Sequence, residues 1–166
     1  MSICIEQMDY DNIEELAELY IRIYKDTNPK EKWNIGSAKK FITYFYELCP
    51  DLFIVAKKRD KIIAGIWGPV KPWWDGNKVY DLEIFVDKEY QGIGISKIII
   101  EHYFEVAIKK YNVSSVEAIT FSDRKFPLCY YEKIALNQDR QLVLLEGKAQ
   151  EISEKIKQSL KMKNKN

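Results

Sequence analysis

The chain has 166 residues but only one histidine, His102, and three cysteines. Cys4, Cys49 and Cys129 lie far apart and odd in number, with no metal-ligand spacing, so a zinc site, a disulfide framework and a Cys-His nucleophile pair are not expected. Cys129 reads as a packed thiol and His102 as a structural residue. No metal is expected, and a reduced, cytoplasmic protein is the simplest reading. No uninterrupted apolar run approaches a membrane span. The amino terminus lacks a basic start followed by an apolar core, so neither a membrane partner nor a secretory signal is expected. The formal net charge is only +1, which argues against a nucleic-acid partner. Repeats, low-complexity stretches and domain linkers are also lacking. Apolar residues make up 46% of the chain, enough for one domain with a sizeable core.

Periodicity supplies the elements. Ile3 to Ile5 opens a strand. Asp11 with Glu14 resembles a capping box ahead of a helix carrying Ile13, Leu16, Ala17, Tyr20, Ile21 and Tyr24. A second helix carries Ala38, Phe41, Ile42 and Phe45 and ends at Pro50. Leu52 to Ala56 and Ile62 to Trp67, joined through Arg59, Asp60 and Lys61, predict a hairpin. Pro69, Pro72, Asp75 and Gly76 mark a connection into a strand from Val79 to Val86. A long helix runs from Ile95 to Tyr111, and a strand from Val116 to Phe121 follows Ser114 and Ser115. A short helix is expected to begin near Pro127, with a final strand from Gln141 to Leu145. Ala149, Ile152, Ile156 and Leu160 form an amphipathic terminal helix, with a frayed end from Lys163 to Asn166. The pattern predicts an α/β (α+β) domain with a mixed central sheet flanked by helices and a βαβ unit across Val79 to Phe121.

The most informative stretch is Glu89-Tyr90-Gln91-Gly92-Ile93-Gly94-Ile95-Ser96-Lys97, set between a strand and a helix. Its two glycines let the backbone approach a ligand closely. The first amides of the following helix lack intrahelical partners, and the helix dipole is positive there, so the junction suits a phosphate. The glycine, four residues, Gly-Lys-Ser/Thr order of a P-loop is absent. Lys97 occupies the place where a dinucleotide fingerprint needs a third small residue. A plain tight turn is the alternative.

Gln-x-x-Gly-x-Gly/Ala between strand and helix resembles the pyrophosphate signature of the GCN5-related N-acetyltransferases, with Ser96 at the last small position. Downstream, Cys129-Tyr130-Tyr131-Glu132-Lys133-Ile134-Ala135-Leu136 is similar to that family's Phe-Tyr-Glu-Lys-Leu-Gly-Phe. The order of elements also matches. The resemblance implies an acyl-CoA N-acyltransferase (GNAT) fold over residues 1–147, with residues 148–166 as an appended helix and Lys-rich tail. A looser similarity links Leu82 to Val86 and Pro72-Trp73-Trp74-Asp75-Gly76-Asn77-Lys78 with the diamine (spermidine/spermine) acetyltransferases.

The resemblance implies acetyl-CoA as co-substrate and a primary amine as acceptor. The amides of Gln91, Gly92, Ile93, Gly94, Ile95 and Ser96 would hold the pyrophosphate, with Lys97 as a nearby charge. Ile84, Phe85 and Val86 would pair with the pantetheine arm as an open strand edge does, and an amide there would polarise the thioester carbonyl. Glu83 is the candidate base, acting through water, because an alkyl ammonium with a pKa of roughly 10 is mostly protonated at pH 7. On an extended strand Asp81, Glu83 and Phe85 share a face. Asp81 and Glu83 therefore deprotonate the cationic acceptor, attract it without proton transfer, or merely form a wet strand face. Tyr131 occupies the general-acid position for the departing thiolate, and Tyr130 reads as core. Trp73 and Trp74 suit either cation recognition or a hydrophobic plug. Arg124 stands where relatives often place an asparagine, so it either reaches a phosphate or loses that contact.

The implied function is acetyl transfer to a small cationic amine, polyamine- or aminoglycoside-like. A protein lysine or amino-terminal acceptor is the second reading and a non-catalytic acyl-CoA-binding module the third. Exposed strand edges allow a homodimer.

Overall fold

The computed structural model describes residues 3–163, with side chains as far as residue 161. The chain divides into two compact units, Met1–Phe121 and Ser122–Asn166.

Among the described residues the first unit holds seven strands and three long helices. β1 is Cys4–Gln7, α1 Ile13–Thr27, α2 Ile35–Leu48, β2 Ile54–Lys58, β3 Lys61–Trp67, β4 Val70–Trp73, β5 Gly76–Val79, β6 Glu83–Val86, α3 Ile95–Tyr111 and β7 Val113–Val116. A four-stranded antiparallel sheet runs in the order β1-β2-β3-β6, and a three-stranded sheet runs β4-β5-β7 with β5 and β7 parallel. This is the mixed α/β architecture expected, with its strands divided between two sheets.

Both faces of the first sheet are covered. Leu16, Tyr20 and Ile23 of α1 and Ala38, Ile42 and Phe45 of α2 pack with Phe53, Val55, Trp67 and Phe85. Ile95, Ile99, Tyr103 and Ala107 of α3 pack with Ile54, Ala56, Ile63, Ile66 and Val86 on the other side. That explains why Ile62 to Trp67 reads as a continuous apolar run: the strand has no wet face. Backbones and rings meet closely here, since a Cβ on Gly65 would fall 2.8 Å from the Phe85 ring.

Several expectations are corrected. The predicted Asp11–Glu14 capping box is not what starts α1. Asp9 instead caps a short 3-10 turn by accepting from the Asp11 N–H, and Asn12 enters α1 without a side-chain cap bond. The predicted strand Val79 to Val86 is two strands in two sheets. Asp81 breaks it with a φ of +48°, a left-handed conformation that aspartate tolerates better than most residues. Asp81 therefore does not share a strand face with Glu83 and Phe85, and its side chain is exposed.

The Pro69–Gly76 connection contains the hairpin β4–β5, where Pro72 sits in an outer strand that needs no N–H from it. The strand predicted at Val116 to Phe121 lies earlier, at Val113–Val116. Asn112 caps α3 in the left-handed conformation (φ 49°, ψ 45°) and turns the chain straight into it.

In the second unit α4 spans Lys125–Lys133 and α5 Ala149–Lys163. Phe126 is extended (φ −103°, ψ 135°), so the regular helical turns of α4 begin at Pro127. The expected strand Gln141 to Leu145 is irregular, and Leu142, Val143, Leu144 and Leu145 are exposed. Of the tail expected to fray, residues 164–166 lie outside the described residues. No helix among the described residues is long and apolar enough to cross a membrane.

Candidate functional site

The glycine junction begins at the end of β6. Asp87 is buried and accepts from the Glu89 N–H, which starts a 3-10 turn over Lys88–Tyr90. The Gln91 side-chain amide donates to the Val86 carbonyl at 2.9 Å, clamping the loop onto the strand it leaves. Gly92 (φ +79°) and Gly94 (φ +90°) then take left-handed conformations that other residues adopt only at a cost. Ile95 is buried and anchors the first turn of α3 in the core.

The Gly94 carbonyl accepts from the Lys97 and Ile98 amides. A Cβ on Gly92 or Gly94 would meet nothing within 4 Å, so the backbone there borders open space. It lies at the positive end of a helix, where the first peptide N–H groups lack carbonyl partners one turn back, the kind of place that suits an anion. Lys97 and Ile93 are exposed beside it.

β6 supplies the second feature. It is the outer strand of its sheet, paired on one side with β3 through Ala64–Val86, Gly65–Phe85, Ile66–Ile84 and Trp67–Glu83. On its other side the Leu82 N–H donates to the Glu117 carbonyl. On that side, beyond this bond, no strand among the described residues pairs with Ile84, Phe85 or Val86. An open edge of this length suits an amide-bearing ligand in an extended conformation.

Glu83 lies at the start of β6, on the face that carries Phe85 and opposite Trp67. Burial pushes its carboxyl up to about 8, with no hydrogen bond or neighbouring charge offsetting the desolvation. The indole Nε1 of Trp67 is buried without a hydrogen-bond partner. Tyr20 of α1 packs edge-on against Phe85 (5.5 Å between centroids) and tilts against Trp67 (5.9 Å). Burial, and then the charges of Glu83 and Glu31, raise its phenol well above the ordinary tyrosine range.

The remaining candidates are dispersed. Trp74 is 86% exposed at the β4–β5 hairpin tip, so it is no plug. The Lys71 and Lys78 ammonium groups already lie 5.0 and 4.8 Å from the Trp73 ring. Arg124 and Tyr131 belong to the second unit. Arg124 precedes α4 and pairs with Asp123 at 3.6 Å. Tyr131 lies on α4 with its ring 5.8 Å from that of Tyr130, and its carbonyl accepts from the Ile134 and Leu136 amides. The Tyr130 hydroxyl is buried without a hydrogen-bond partner. His102 is half-buried on α3. Among the described residues no group of three or more His, Cys, Asp or Glu is placed to hold a metal.

Glu31 and Trp33, in the connection between α1 and α2, carried no signal in the sequence because they belong to no motif. Only the fold brings them to Tyr20, where the Trp33 ring lies 5.5 Å away.

The model of the acetyltransferase (GNAT) family matches residues 13–135. The chain belongs to that family and is an acetyl-CoA-dependent N-acetyltransferase. No curated protein matches it. Among solved structures it is similar to a possible acetyltransferase from Clostridium difficile 630, with TM-score 0.72 and 17% identity over 90% of this chain and 99% of that one. A predicted acetyltransferase with acetyl-CoA from Clostridium acetobutylicum gives TM-score 0.71 and 16% identity, covering 87% and 96%. The ribosomal-protein-alanine N-acetyltransferase of Brucella melitensis biovar Abortus 2308 gives 0.65 and 16%, covering 89% and 100%. At these identities the likeness is one of fold.

Proposed function

We propose that the protein acetylates a primary amine of a small cationic acceptor, polyamine- or aminoglycoside-like, by direct attack of the amine. When bound, acetyl-CoA supplies the activated acetyl group. The amides of Gln91 to Ser96 would hold its pyrophosphate, with Lys97 and Arg124 as candidate charges for its phosphates. The open edge of Ile84, Phe85 and Val86 would carry the amide-bearing arm, and an amide of that edge would polarise the carbonyl under attack.

Glu83 would take a proton from the acceptor ammonium through water. A base with a pKa near 8 is better matched to an ammonium than an ordinary carboxylate would be. Tyr131 would give its phenolic proton to the departing thiolate. Asp81 and Trp74 would then serve the acceptor from the β4–β6 side. The acetyltransferase domain would extend over residues 1–147, with residues 148–166 as an appendage.

The observation that carries the acceptor reading is the desolvated carboxyl of Glu83, a residue half-buried as a whole. It is uncompensated within the protein and stands on the strand that leads into the glycine turn. An approaching ammonium is the partner it lacks.

The test is thiol release from acetyl-CoA with spermidine, spermine, short diamines, aminoglycosides and lysine-bearing peptides as acceptors. Release that depends on a small amine supports the reading. Release only with peptides replaces it with a protein acceptor. Tight acetyl-CoA binding without release from any acceptor points to a binding module.

A further inference from the structure

We infer that Glu31 is a specificity-determining residue of the acceptor site: with Trp33 and Tyr24 it receives the distal ammonium of an aliphatic diamine whose reacting amine lies at Glu83. The inference rests on the proposed small-amine reading and narrows it to a dication.

Glu31 is exposed, yet both of its oxygens are held. Asn28, which ends α1, donates its side-chain amide to Oε1 at 2.7 Å, and Trp33 donates Nε1 to Oε2 at 2.6 Å. Both donors are neutral, so the carboxylate is fixed in place with its charge intact and lone pairs to spare. The neighbouring Lys32 ammonium bonds instead to the Pro29 carbonyl at 2.8 Å. Among the described residues no lysine or arginine forms an ion pair with Glu31. A pre-positioned, unpaired carboxylate loses little further freedom when it binds a cation.

Aromatic rings connect Glu31 to Glu83. Trp33 packs on Tyr20 at 5.5 Å and on Phe41 at 5.1 Å, and Tyr24 stacks on Tyr20 at 4.2 Å. Tyr20 in turn meets Phe85, two residues from Glu83 on the same strand face, and Trp67, directly opposite Glu83. Tyr20 is thus a floor shared by the two carboxylates, both of which act electrostatically on its hydroxyl. Tyr24 and Trp33, which pack on that floor, are half-buried aromatic residues, of a kind suited to a methylene chain and to an ammonium.

The inner end lacks partners in its own right. Glu83 is desolvated without compensation, and the fully buried Trp67 has an unpaired indole N–H on the opposed strand. Buried polar groups left this way ordinarily mark a place where a ligand or water completes the bonding. A diamine carries one nitrogen for each of the two carboxylates, Glu31 and Glu83. A monoamine matches only the inner one.

The test uses the full chain, with 1,4-diaminobutane and butylamine as acceptors in turnover and in calorimetric binding. Wild type should prefer the diamine. E31Q should lower the diamine-to-monoamine ratio of kcat/KM about fivefold to tenfold, chiefly through KM. E47Q, an exposed charge change on α2, should leave that ratio as in wild type. An unchanged ratio in E31Q, or a wild-type enzyme indifferent to the second amine, overturns the inference while turnover itself upholds the small-amine reading. If neither amine is acetylated but E31Q weakens diamine binding by that factor, the acceptor reading fails and the binding site stands. If neither amine is acetylated and E31Q binds the diamine as wild type does, both fail.

Discussion

The Arg22 guanidinium on α1 lies 2.7 Å from the buried Asp87 carboxylate at the end of β6. Asp87 also accepts from the Glu89 N–H, so one side chain joins α1 to the turn that precedes the glycines. Lys88, in that turn, pairs with Asp26 of α1 as well. Replacing Asp87 with alanine removes a turn cap and a charge-assisted hydrogen bond together. It should cost about 1–3 kcal/mol, read from urea unfolding. Arg22 is more than half exposed, so R22A should cost less, roughly 0.5–1 kcal/mol. Equal costs for the two variants would show that Asp87 does not act as a cap.

Tyr131 tests the assignment of the proton donor. Y131F keeps the ring and deletes only the hydroxyl. General-acid catalysis typically contributes 10²–10⁴-fold, so kcat should fall by about 10² or more while acetyl-CoA affinity by calorimetry stays near wild type. A proportionate fall in affinity would make the residue a contact and leave the thiolate to another acid. Y130F should be nearly silent in turnover if Tyr130 is only a packing residue.

The parts of the fold governed by short-range chemistry were legible from the sequence. Arg59 and Asp60 both have positive φ (50° and 65°), which sets up the tight β2–β3 hairpin expected from their place between two apolar runs. The glycine turn and α3 were legible because helix geometry dictates the residues at its start. What was hidden depended on tertiary context. Tyr80-Asp81-Leu82 gives no turn signal strong enough to break an apolar run. It breaks because Val79 and Glu83 enter different sheets. Pro72 reads as a loop residue until the strand around it is known to be an outer one. Glu83 was legible as acidic and strand-borne, but its desolvation comes from burial in the folded structure, which no spacing reveals. The pairing of Glu31 with Trp33 at Tyr20 joins separate segments and left no pattern to read.

Glu83 makes stability depend on pH in an unusual direction. Unfolded, the residue loses its proton near the ordinary carboxylate value of about 4.5; folded, burial holds the proton to about 8. Between those values the folded state binds more protons than the unfolded one. Its contribution is therefore fully present below about 4.5 and is lost as pH rises through about 8. E83Q is neutral throughout and should remove this fall, gaining stability over wild type by roughly 3 kcal/mol between pH 5 and pH 9, with allowance for residual hydration of a half-buried group. The measurement is urea unfolding of both proteins across that range. Parallel pH profiles would show that Glu83 is hydrated and ionised in the folded protein, and would remove the reason for an ammonium to seek it.

Gly94 separates the demands of folding from those of the ligand. Its φ of +90° strains any residue with a Cβ, so G94A should cost about 1–2 kcal/mol of stability, even though the added methyl would touch nothing within 4 Å. That methyl would project into the open space at the start of α3, where the proposed function places the pyrophosphate. Acetyl-CoA binding should therefore weaken by tenfold or more, beyond what the stability loss explains. G76A has a comparable backbone strain (φ +135°) but lies on the β4–β5 hairpin, where its Cβ would crowd Ser114. It should destabilise the protein with little change in acetyl-CoA affinity of the folded fraction. Calorimetric titration of both variants with acetyl-CoA, at temperatures where each is folded, distinguishes the two effects. If both lose affinity equally, the glycine turn is only a turn, and the pyrophosphate assignment falls with it.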